Sequence, residues 1–434
     1  MATVVLLLLL LIIYKRNAED QWWLLAQRDR YDKPMPGRYD FNNVHLDTQQ
    51  CEATFPDLTI QVDNEVARGS LNVMFAKGVV LLAKIENDEL FIIRSPHPND
   101  LSKTMRHRQL ATLHQIHRSI LTSPGHLPNT TLTLSAHDVS SASTIAFARP
   151  AYSPSQKRIM PMPHFSFWSW PLPFIGSIPS AARRIAAIED ELSWEKKEKR
   201  AIWRGTSWYN NGAGSNRRGR QELLTKTKGQ DWADVEALQW ENNSEDASNA
   251  IRIEDFCRRK YIIHTEGFGY SGRLQFHQLC ASVIISPPLE WMQHTSHLIR
   301  PVFSPTLLRA PSQGWTEEPM TKWEQTARKG WPKVFSAQEA NMIFVRPDWE
   351  DLEEVVTWLE NHPEVAKGIA ERQRETFEGK GYLSPAAEAC YWRALIRGWA
   401  EISRPVGEGW NARGVPYEQF VTGKQDGRDT VAGQ

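Results

Sequence analysis

The sequence lacks a net charge, a closely spaced cysteine pair and a long apolar run. Its 434 residues contain 51 basic and 51 acidic side chains, so no overall field draws the protein to nucleic acid or to acidic membranes. None of its four cysteines stands at zinc-site spacing. The apolar run at residues 4–13 is shorter than the about 20 residues of a comfortable membrane span. We therefore expect no nucleic-acid partner and no metal site built on cysteine, and any anion site must be local.

Several features nevertheless point to the secretory pathway. We expect residues 1–14 to be a signal peptide, a short membrane anchor, or the product of a gene model that starts late. Lys15 and Arg16 follow the apolar run, which by the positive-inside tendency favours a cytoplasmic body. The glycosylation sequons at Asn129 and Asn242 and the even number of cysteines favour a lumenal body instead. We expect the lumen of the endoplasmic reticulum or Golgi, with a single-pass membrane attachment if residues 1–14 are retained.

Alternating apolar stretches and helical patterns predict an α/β fold. Stretches such as GVVLLAKI and TLTLSA alternate with patterns such as LATLHQIHRSIL, and the alternation resumes at AIWRG, YIIHTEG, SVIISPP and MIFVRP. A proline- and tryptophan-rich stretch at residues 305–335 is expected to be an irregular surface excursion. The predicted segments are a stem at 15–45, α/β domains at 46–195 and 196–365, helices at 366–405 and a mobile tail at 406–434.

A glycine-rich turn, GFGYSG at residues 267–272, is the most informative motif. It follows the apolar run YII and precedes Arg273 and an amphipathic helical pattern, so it predicts a strand, a phosphate-binding loop and a helix. Glycine lets the backbone approach a ligand closely, and a helix N-terminus presents unpaired N–H groups to an anion. The arginine adds a planar donor fork suited to a diphosphate. The alternative is a tight strand-to-helix connection without a ligand.

This segment resembles the donor-binding core of glycosyltransferase family 90, which includes fungal capsule-associated xylosyltransferases and animal protein O-glucosyltransferases. Together the matching pieces cover most of residues 135–400. The further pieces, in order, are FSFWSWP at 165–171, AIWRGT at 201–206, RQEL at 220–223, NMIFVRPDWEDL at 341–352, and the closing helix YLSPAAEACYWRALIRGWA. The resemblance implies a GT-B fold, in which two Rossmann-like domains face a cleft.

In that arrangement the acceptor side is the domain at 46–195 and the nucleotide-sugar side is the domain at 196–365. The closing helices at 366–405 return to the N-terminal domain. The resemblance also implies a Cys257–Cys280 disulfide, which leaves Cys51 and Cys390 to fix the return of the closing helix. Buried free thiols are the alternative for each pair.

The resemblance implies a UDP-sugar donor and assigns donor-binding residues in the matched blocks. These are Arg204, Gly205, Arg220, Gly269, Tyr270, Ser271, Gly272 and Arg273. For each arginine the alternative is a solvated side chain or a structural salt bridge. No Asp-x-Asp pair stands at the end of a predicted strand, and Asp348 and Asp351 are better interpreted as the start of a helix capped by Asp348. We therefore expect no metal and no other cofactor.

Asp138 is the candidate general base. It follows the apolar strand TLTLS, where cleft residues are expected, and it matches the position of the family's catalytic aspartate. His137 is the rival because imidazole titrates nearer neutral pH. Adjacent residues on a strand point in opposite directions, so only one of the two is expected to face the cleft. A turn residue that bonds its own backbone is the alternative for Asp138.

His164, Phe165 and Trp168 are expected to shape the acceptor or sugar pocket. For Phe165 and Phe167 the alternative is a buried apolar strand that ends in a proline turn.

The sequence thus predicts an inverting, metal-independent glycosyltransferase that transfers xylose or glucose from a UDP-sugar to a hydroxyl of a glycan or protein, as in the fungal branch of the family. A non-catalytic protein that binds a nucleotide sugar or a glycan is the alternative function.

Overall fold

Helices and strands alternate along most of the chain, as expected for an α/β protein. The computed structural model describes residues 40–74, 81–96, 101–140, 143–152, 157–211, 217–241, 246–309, 320–407, 410 and 412–423. The helices are α1 Thr48–Thr54, α2 Ile60–Ala67, α3 Lys103–Leu121, α4 Ile178–Glu191, α5 Gly219–Thr227, α6 Arg273–His277, α7 Ser304–Leu308, α8 Lys322–Ala327, α9 Leu352–Asn361, α10 Pro363–Arg374, α11 Pro385–Ile402 and α12 Tyr417–Thr422.

The strands are β1 Leu71–Met74, β2 Leu81–Glu86, β3 Glu89–Arg94, β4 Thr130–Ser135, β5 Thr144–Ala146, β6 Arg149–Pro150, β7 Ile159–Pro161, β8 Ala201–Gly205, β9 Ala233–Ala237, β10 Trp240–Glu241, β11 Asp246–Ala247, β12 Tyr261–Ile263, β13 Val283–Ser286, β14 Trp291–Met292, β15 Pro301–Phe303, β16 Met342–Phe344, β17 Ser403–Val406 and β18 Val415–Pro416.

The C-terminal half contains an all-parallel six-stranded sheet in the order β15-β16-β13-β12-β8-β9. Its central strands are short, apolar and buried on both faces, as parallel strands are. Successive side chains alternate between faces. Ile262 therefore packs in one core with α4, and Ile263 packs in a second core with α9 and α10.

The N-terminal half contains a mixed six-stranded sheet in the order β18-β3-β2-β4-β5-β7. Strands β2 and β3 form an antiparallel hairpin closed by Asn87 and Asp88, whose φ values are 53° and 59°. A two-residue hairpin turn of this kind needs positive φ at both positions, which asparagine and aspartate tolerate better than most residues. Strand β4 leads from this sheet into the segment that carries Asp138.

The long helix α11 packs against elements of the N-terminal half. It contacts α2, α3 and β4, and Tyr391, Trp392 and Trp399 are fully buried along it. Ser384 caps its N-terminus by accepting the Ala387 N–H over 3.2 Å. The polar atom of each buried ring also forms a hydrogen bond. The Trp399 Nε1, for example, donates to the Thr131 carbonyl over 2.9 Å.

Three local features differ from the sequence expectations. Helix α4 falls within the range expected for the N-terminal domain, yet its apolar face packs on the parallel sheet. Strand β18 and helix α12 lie within the expected mobile tail, and β18 pairs with β3; residues 424–434 lie outside the described residues. The excursion at 305–335 includes helix α8, whose capping box is formed by Thr321 and Glu324.

From Asn43 onward the chain forms one compact unit, while residues 40–42 belong to a separate one in which the Asp40 carboxylate accepts the Asn42 N–H. Among the helices of the described residues, none is long and apolar enough to cross a membrane. The expected N-terminal apolar segment and the Asn242 sequon lie outside the described residues. Asn129 is exposed.

Candidate active site

A cavity of about 530 Å³ collects most of the residues that the sequence singles out. It is bounded by α3, by the segment after β4, by residues 164–175, by the ends of β8 and β9, and by the glycine-rich turn. The predicted site residues on its wall are Asp138, His164, Phe165, Arg204, Gly205, Arg220, Tyr270, Ser271, Gly272 and Arg273. Gly269 and Trp168 are not among its lining residues.

The glycine-rich turn connects β12 to the one-and-a-half-turn helix α6, which is shorter and more deeply buried than the amphipathic helix expected there. Two glycines in this turn touch the opposite wall of the cavity. A side chain at Gly269 would place its Cβ 2.6 Å from the Asp138 carbonyl oxygen, and one at Gly272 would collide with the His164 ring. Glycine is therefore required so that the glycine-rich turn can approach the Asp138 and His164 segments.

Arg273 and Arg220 form the positive pole of the cavity. Nη1 of Arg273 donates to the Arg204 carbonyl, and Arg220 donates from Nε to the Glu266 carbonyl over 3.0 Å and from Nη1 to the Thr206 carbonyl over 2.8 Å. Burial lowers the pKa of Arg273 to about 10 and that of Arg220 to about 9, so both remain protonated at neutral pH. Within the described residues, no carboxylate forms an ion pair with either guanidinium. The two charges are therefore available to an anion.

Arg204 lines the same cavity with its charge already compensated. Its Nη2 forms a buried ion pair with Asp234 over 2.7 Å, and its Nη1 donates to the carbonyls of Trp203 and Asp234. These contacts tie β8 to β9 at the cavity floor. For each predicted arginine the alternative was a solvated side chain or a structural salt bridge. Arg204 is the one that forms such a salt bridge.

Asp138 lies across the cavity, just beyond the end of β4, with its side chain 36% exposed. Nη1 of Arg108, on α3, donates to Asp138 Oδ1 over 2.8 Å, and the same guanidinium lies 5.1 Å from the centre of the Phe165 ring. Sequence reasoning missed Arg108. Two arginines near the start of a helix, at 106 and 108, were the only local signal, and they do not reveal a partner 30 residues away.

His137 does not line the cavity, so of the two candidate bases Asp138 is the one that faces it. Burial lowers the pKa of His137, and this effect outweighs the opposing influence of the neighbouring Asp138 carboxylate. We expected only one of these two adjacent residues to face the cleft, and only Asp138 lines the cavity.

His164 is buried beside the glycine-rich turn. Its Nδ1 accepts the Ser166 N–H over 3.2 Å, so the neutral ring carries its proton on Nε2, the atom nearest to Gly272. Burial, aided by the charge of Arg108, holds the pKa of His164 well below its usual range. His164 packs on Phe165 with ring centres 3.9 Å apart, and residues Phe165–Phe167 form a short 3-10 helix instead of the alternative buried strand.

Trp168 points away from the cavity. Its ring is 40% exposed, stacks on His114 with centres 4.7 Å apart, and lies 5.3 Å from the Arg118 guanidinium. The structure therefore separates Trp168 from the pocket in which we expected it.

The end of the cavity beyond the arginines is apolar. Its lining residues are Leu172, Phe174, Ile175, Leu238, Trp240, Ile251, Ile253 and Phe256. They come from three separate segments, which is why no local pattern predicted them. An apolar slot of this kind next to a positive pole suits a planar base linked to a phosphate.

Both predicted disulfides are present. Cys257–Cys280 links the segment before β12 to the segment after α6, across a sequence separation of 23, and Cys51–Cys390 links α1 to α11. In the described part of the chain, the only group of potential metal ligands is Glu189 with Cys257 and Cys280, whose sulfurs are joined to each other.

The N-cap of α9 is Asp351 and not Asp348 as expected; Asp348 pairs with Arg346 over 2.7 Å.

Comparison of the chain with known proteins identifies its family. The family description "Glycosyl transferase family 90" matches residues 83–304, which is over half of the chain and includes α3, Asp138 and the glycine-rich turn. An O-glucosyltransferase rumi homolog from Aedes aegypti is 25% identical over 254 residues, covering 55% of this chain and 52% of that protein. A second, from Anopheles gambiae, is 25% identical over 257 residues, covering 56% and 52%. The chain spans about half the length of these curated relatives. With the match extending over the whole cavity wall from Arg108 to Arg273, the chain belongs to glycosyl transferase family 90.

Proposed function

We propose that the protein is an inverting, metal-independent glycosyltransferase that transfers xylose or glucose from a UDP-sugar to a hydroxyl of a glycan or protein acceptor. The observation that carries this proposal is the polarity of the cavity. The same cavity is lined by a carboxylate, Asp138, and by the guanidinium groups of Arg220 and Arg273, which pair with no carboxylate of the described residues. Sugar transfer needs a base at the attacking hydroxyl and positive charge at the departing diphosphate.

The donor fits the C-terminal wall. Arg273, Arg220 and the backbone of the glycine-rich turn would hold the diphosphate, and the apolar end beside Leu238 and Ile253 would hold the uracil ring. A volume of about 530 Å³ lies within the usual range of small-ligand pockets. A cavity between a parallel and a mixed α/β sheet supports a GT-B arrangement, because open α/β sheets bind ligands at the carboxyl ends of their strands.

Asp138 would act as the general base. It would take the proton of the acceptor hydroxyl while that oxygen bonds to the anomeric carbon from the face opposite the diphosphate. The bond from the anomeric carbon to the diphosphate oxygen breaks, and its electron pair leaves with UDP. Arg273 and Arg220 would stabilise that charge, and the Nε2 proton of His164 would donate to a sugar oxygen.

A lumenal location is part of the proposal. The two disulfides persist in oxidising compartments, and the exposed Asn129 sequon is open to glycosylation there. The printed names of the insect relatives, O-glucosyltransferases, make UDP-glucose the first donor to test and UDP-xylose the second.

UDP release tests the proposal against the alternative of a non-catalytic binding protein. Asp138→Asn keeps the side-chain shape and removes the base, so we expect kcat to fall by about 10² to 10⁴ while the Kd for UDP is unchanged. His137→Ala is the matched control and should retain most turnover. If His137→Ala abolishes turnover and Asp138→Asn does not, the base assignment is wrong. If the wild-type protein binds UDP but forms no UDP from a UDP-sugar, either with an acceptor or by hydrolysis, the binding-protein alternative holds.

A further inference from the structure

A second, larger cavity lies outside the proposed donor site. It has a volume of about 960 Å³ and is lined by residues 150–152, by the turn after β13, by helix α8 with the residues that follow it, and by the turn after β16. Four aromatic side chains line it: Tyr152, Trp291, Trp323 and Trp331. We call this cavity the aromatic groove. Neither the glycine-rich turn nor Asp138 contributes to it.

The aromatic rings of the groove are held in place by neighbours. Trp323 stacks on Phe303, with ring centres 5.8 Å apart and planes 25° apart. Trp331 donates from Nε1 to the Leu289 carbonyl over 2.7 Å. Tyr152 is 55% exposed, so its ring is accessible from the groove. The rings of Tyr152 and Trp323 are partly exposed, while Trp291 and Trp331 are buried, at 5% and 6% exposure. A partly exposed aromatic ring offers a flat apolar surface that suits the apolar face of a sugar ring.

Trp291 adds an unpartnered buried polar group to the wall of the groove. The residue is 5% exposed, and its Nε1 has no hydrogen-bond partner within the described residues. A buried indole N–H without an acceptor is destabilising, so such groups are normally paired. Trp291 also lines the groove.

The polar lining of the groove carries charges of both signs. The carboxylates of Glu222, Glu290 and Asp348 face two cations, Lys322 and Arg346, and Arg346 is paired with Asp348. Asn211 Nδ2 donates to Glu290 over 2.7 Å, which orients that carboxylate. Carboxylates accept hydrogen bonds from hydroxyl groups, such as those of a neutral sugar.

A small pocket of about 60 Å³ adjoins both the groove and the donor cavity. That pocket shares Asn211 and Glu290 with the groove and shares Arg220 with the donor cavity. We propose that the aromatic groove binds a neutral oligosaccharide, as the distal subsite of a glycan acceptor. The acceptor role rests on the proposed transferase function, but the binding itself does not.

Binding is tested by calorimetric titration of the whole protein with linear neutral hexasaccharides of glucose, xylose and mannose at millimolar concentration. We expect saturable binding of at least one. Trp323→Ala and Tyr152→Ala should each weaken it about two- to tenfold, the value of one aromatic contact. Trp291→Phe keeps the ring and removes the N–H, and it should also weaken binding. Trp358→Ala is the matched control and should not weaken binding. It removes a half-buried ring of α9 that stacks on His362, outside the groove.

Kinetics separate this subsite from the transfer site. With hydrolysis of the UDP-sugar as the basal reaction, the groove variants should keep wild-type hydrolysis and raise KM for a hexasaccharide acceptor, with KM for a monosaccharide glycoside unchanged. Absence of binding by all three hexasaccharides, equal binding by the control and groove variants, or tighter binding of a hexuronate or of UDP at the groove would overturn the proposal. Hexasaccharide binding without any UDP release would leave the groove assignment intact and remove the transferase.

Discussion

The Arg108 guanidinium donates to the Asp138 carboxylate over 2.8 Å, linking helix α3 to the segment that carries the proposed base. The same guanidinium lies over Phe165, which in turn packs on His164. Asp138 is thus oriented from one side by an ion pair, and its backbone contacts Gly269 of the donor turn on the other. If Asp138 is the base, as proposed, Arg108 is a positioning residue for it, because it contacts the carboxylate.

Arg108→Met should therefore lower kcat by about tenfold to a hundredfold, the usual effect of misplacing a catalytic group, with little change in the Kd for UDP. Arg108→Lys keeps a charge without the planar fork and should recover part of the rate. The decisive comparison uses the Asp138→Asn background, where Arg108→Met should cost little further activity because the group it positions is already gone. Equal losses on both backgrounds would show that Arg108 acts elsewhere.

Arg273 gives a second prediction, on donor binding. Arg273→Ala should weaken UDP binding by about 1.5 to 3 kcal/mol, the range for a hydrogen bond to a charged group. Because arginines supply the positive charge, turnover should survive EDTA. Arg273→Lys is the matched control for charge alone and should bind UDP with intermediate affinity. Complete loss of turnover in EDTA, restored by manganese, would reveal a metal requirement.

The sequence predicts those parts of the site whose residues lie close together along the chain. The apolar run, the glycines and Arg273 stand within a dozen positions, so strand, turn and helix follow from local preference. Asp138 follows its strand in the same way. Their meeting in one cavity follows from the rule that ligands bind beyond the carboxyl ends of parallel strands.

The missed features depend on contacts between distant segments. Arg108 reaches Asp138 across 30 positions, and the aromatic groove combines Tyr152 with Trp323. Trp168 was misplaced because the sequence predicts an aromatic cluster but not the direction of each ring; in the 3-10 turn Phe165 faces inward and Trp168 outward. Helix α4 lies in the range expected for the N-terminal domain and packs on the parallel sheet, because its apolar face shows that it packs, but not on which sheet.

The Cys51–Cys390 disulfide gives a third prediction, on stability. It joins α1 to α11 across a separation of 339 residues, so it restricts the unfolded chain far more than Cys257–Cys280 does. Replacing both Cys51 and Cys390 by serine should lower the free energy of unfolding by roughly 2 to 5 kcal/mol, measured by urea denaturation. Peptide mapping of non-reduced protein checks the premise, and recovery of both residues as free thiols would contradict it.

The buried histidines give the last prediction, on pH. His164, His264, His277 and His294 are almost fully buried, and burial holds the pKa of each below its usual value. For His264 the charges of Arg273 and Arg220 add to this effect. Below about pH 6.5 the unfolded chain binds a proton at each of these positions and the folded protein does not. Stability is therefore fully present above that pH and falls as the pH is lowered.

Each such histidine contributes a loss of about 1.4 kcal/mol per pH unit below the unfolded pKa. His264→Leu removes one of them, and both of its ring nitrogens lack partners within the described residues, so the change leaves no hydrogen bond unmade there. Between pH 6.5 and 5.5 the unfolded imidazole is only partly protonated, so urea unfolding should show a loss of stability smaller by about 1 kcal/mol than in wild type, whatever the variant's stability at pH 7. His45→Leu, at an exposed position, is the matched control and should keep the wild-type slope. An unchanged slope in His264→Leu would mean that His264 takes up a proton inside the folded protein.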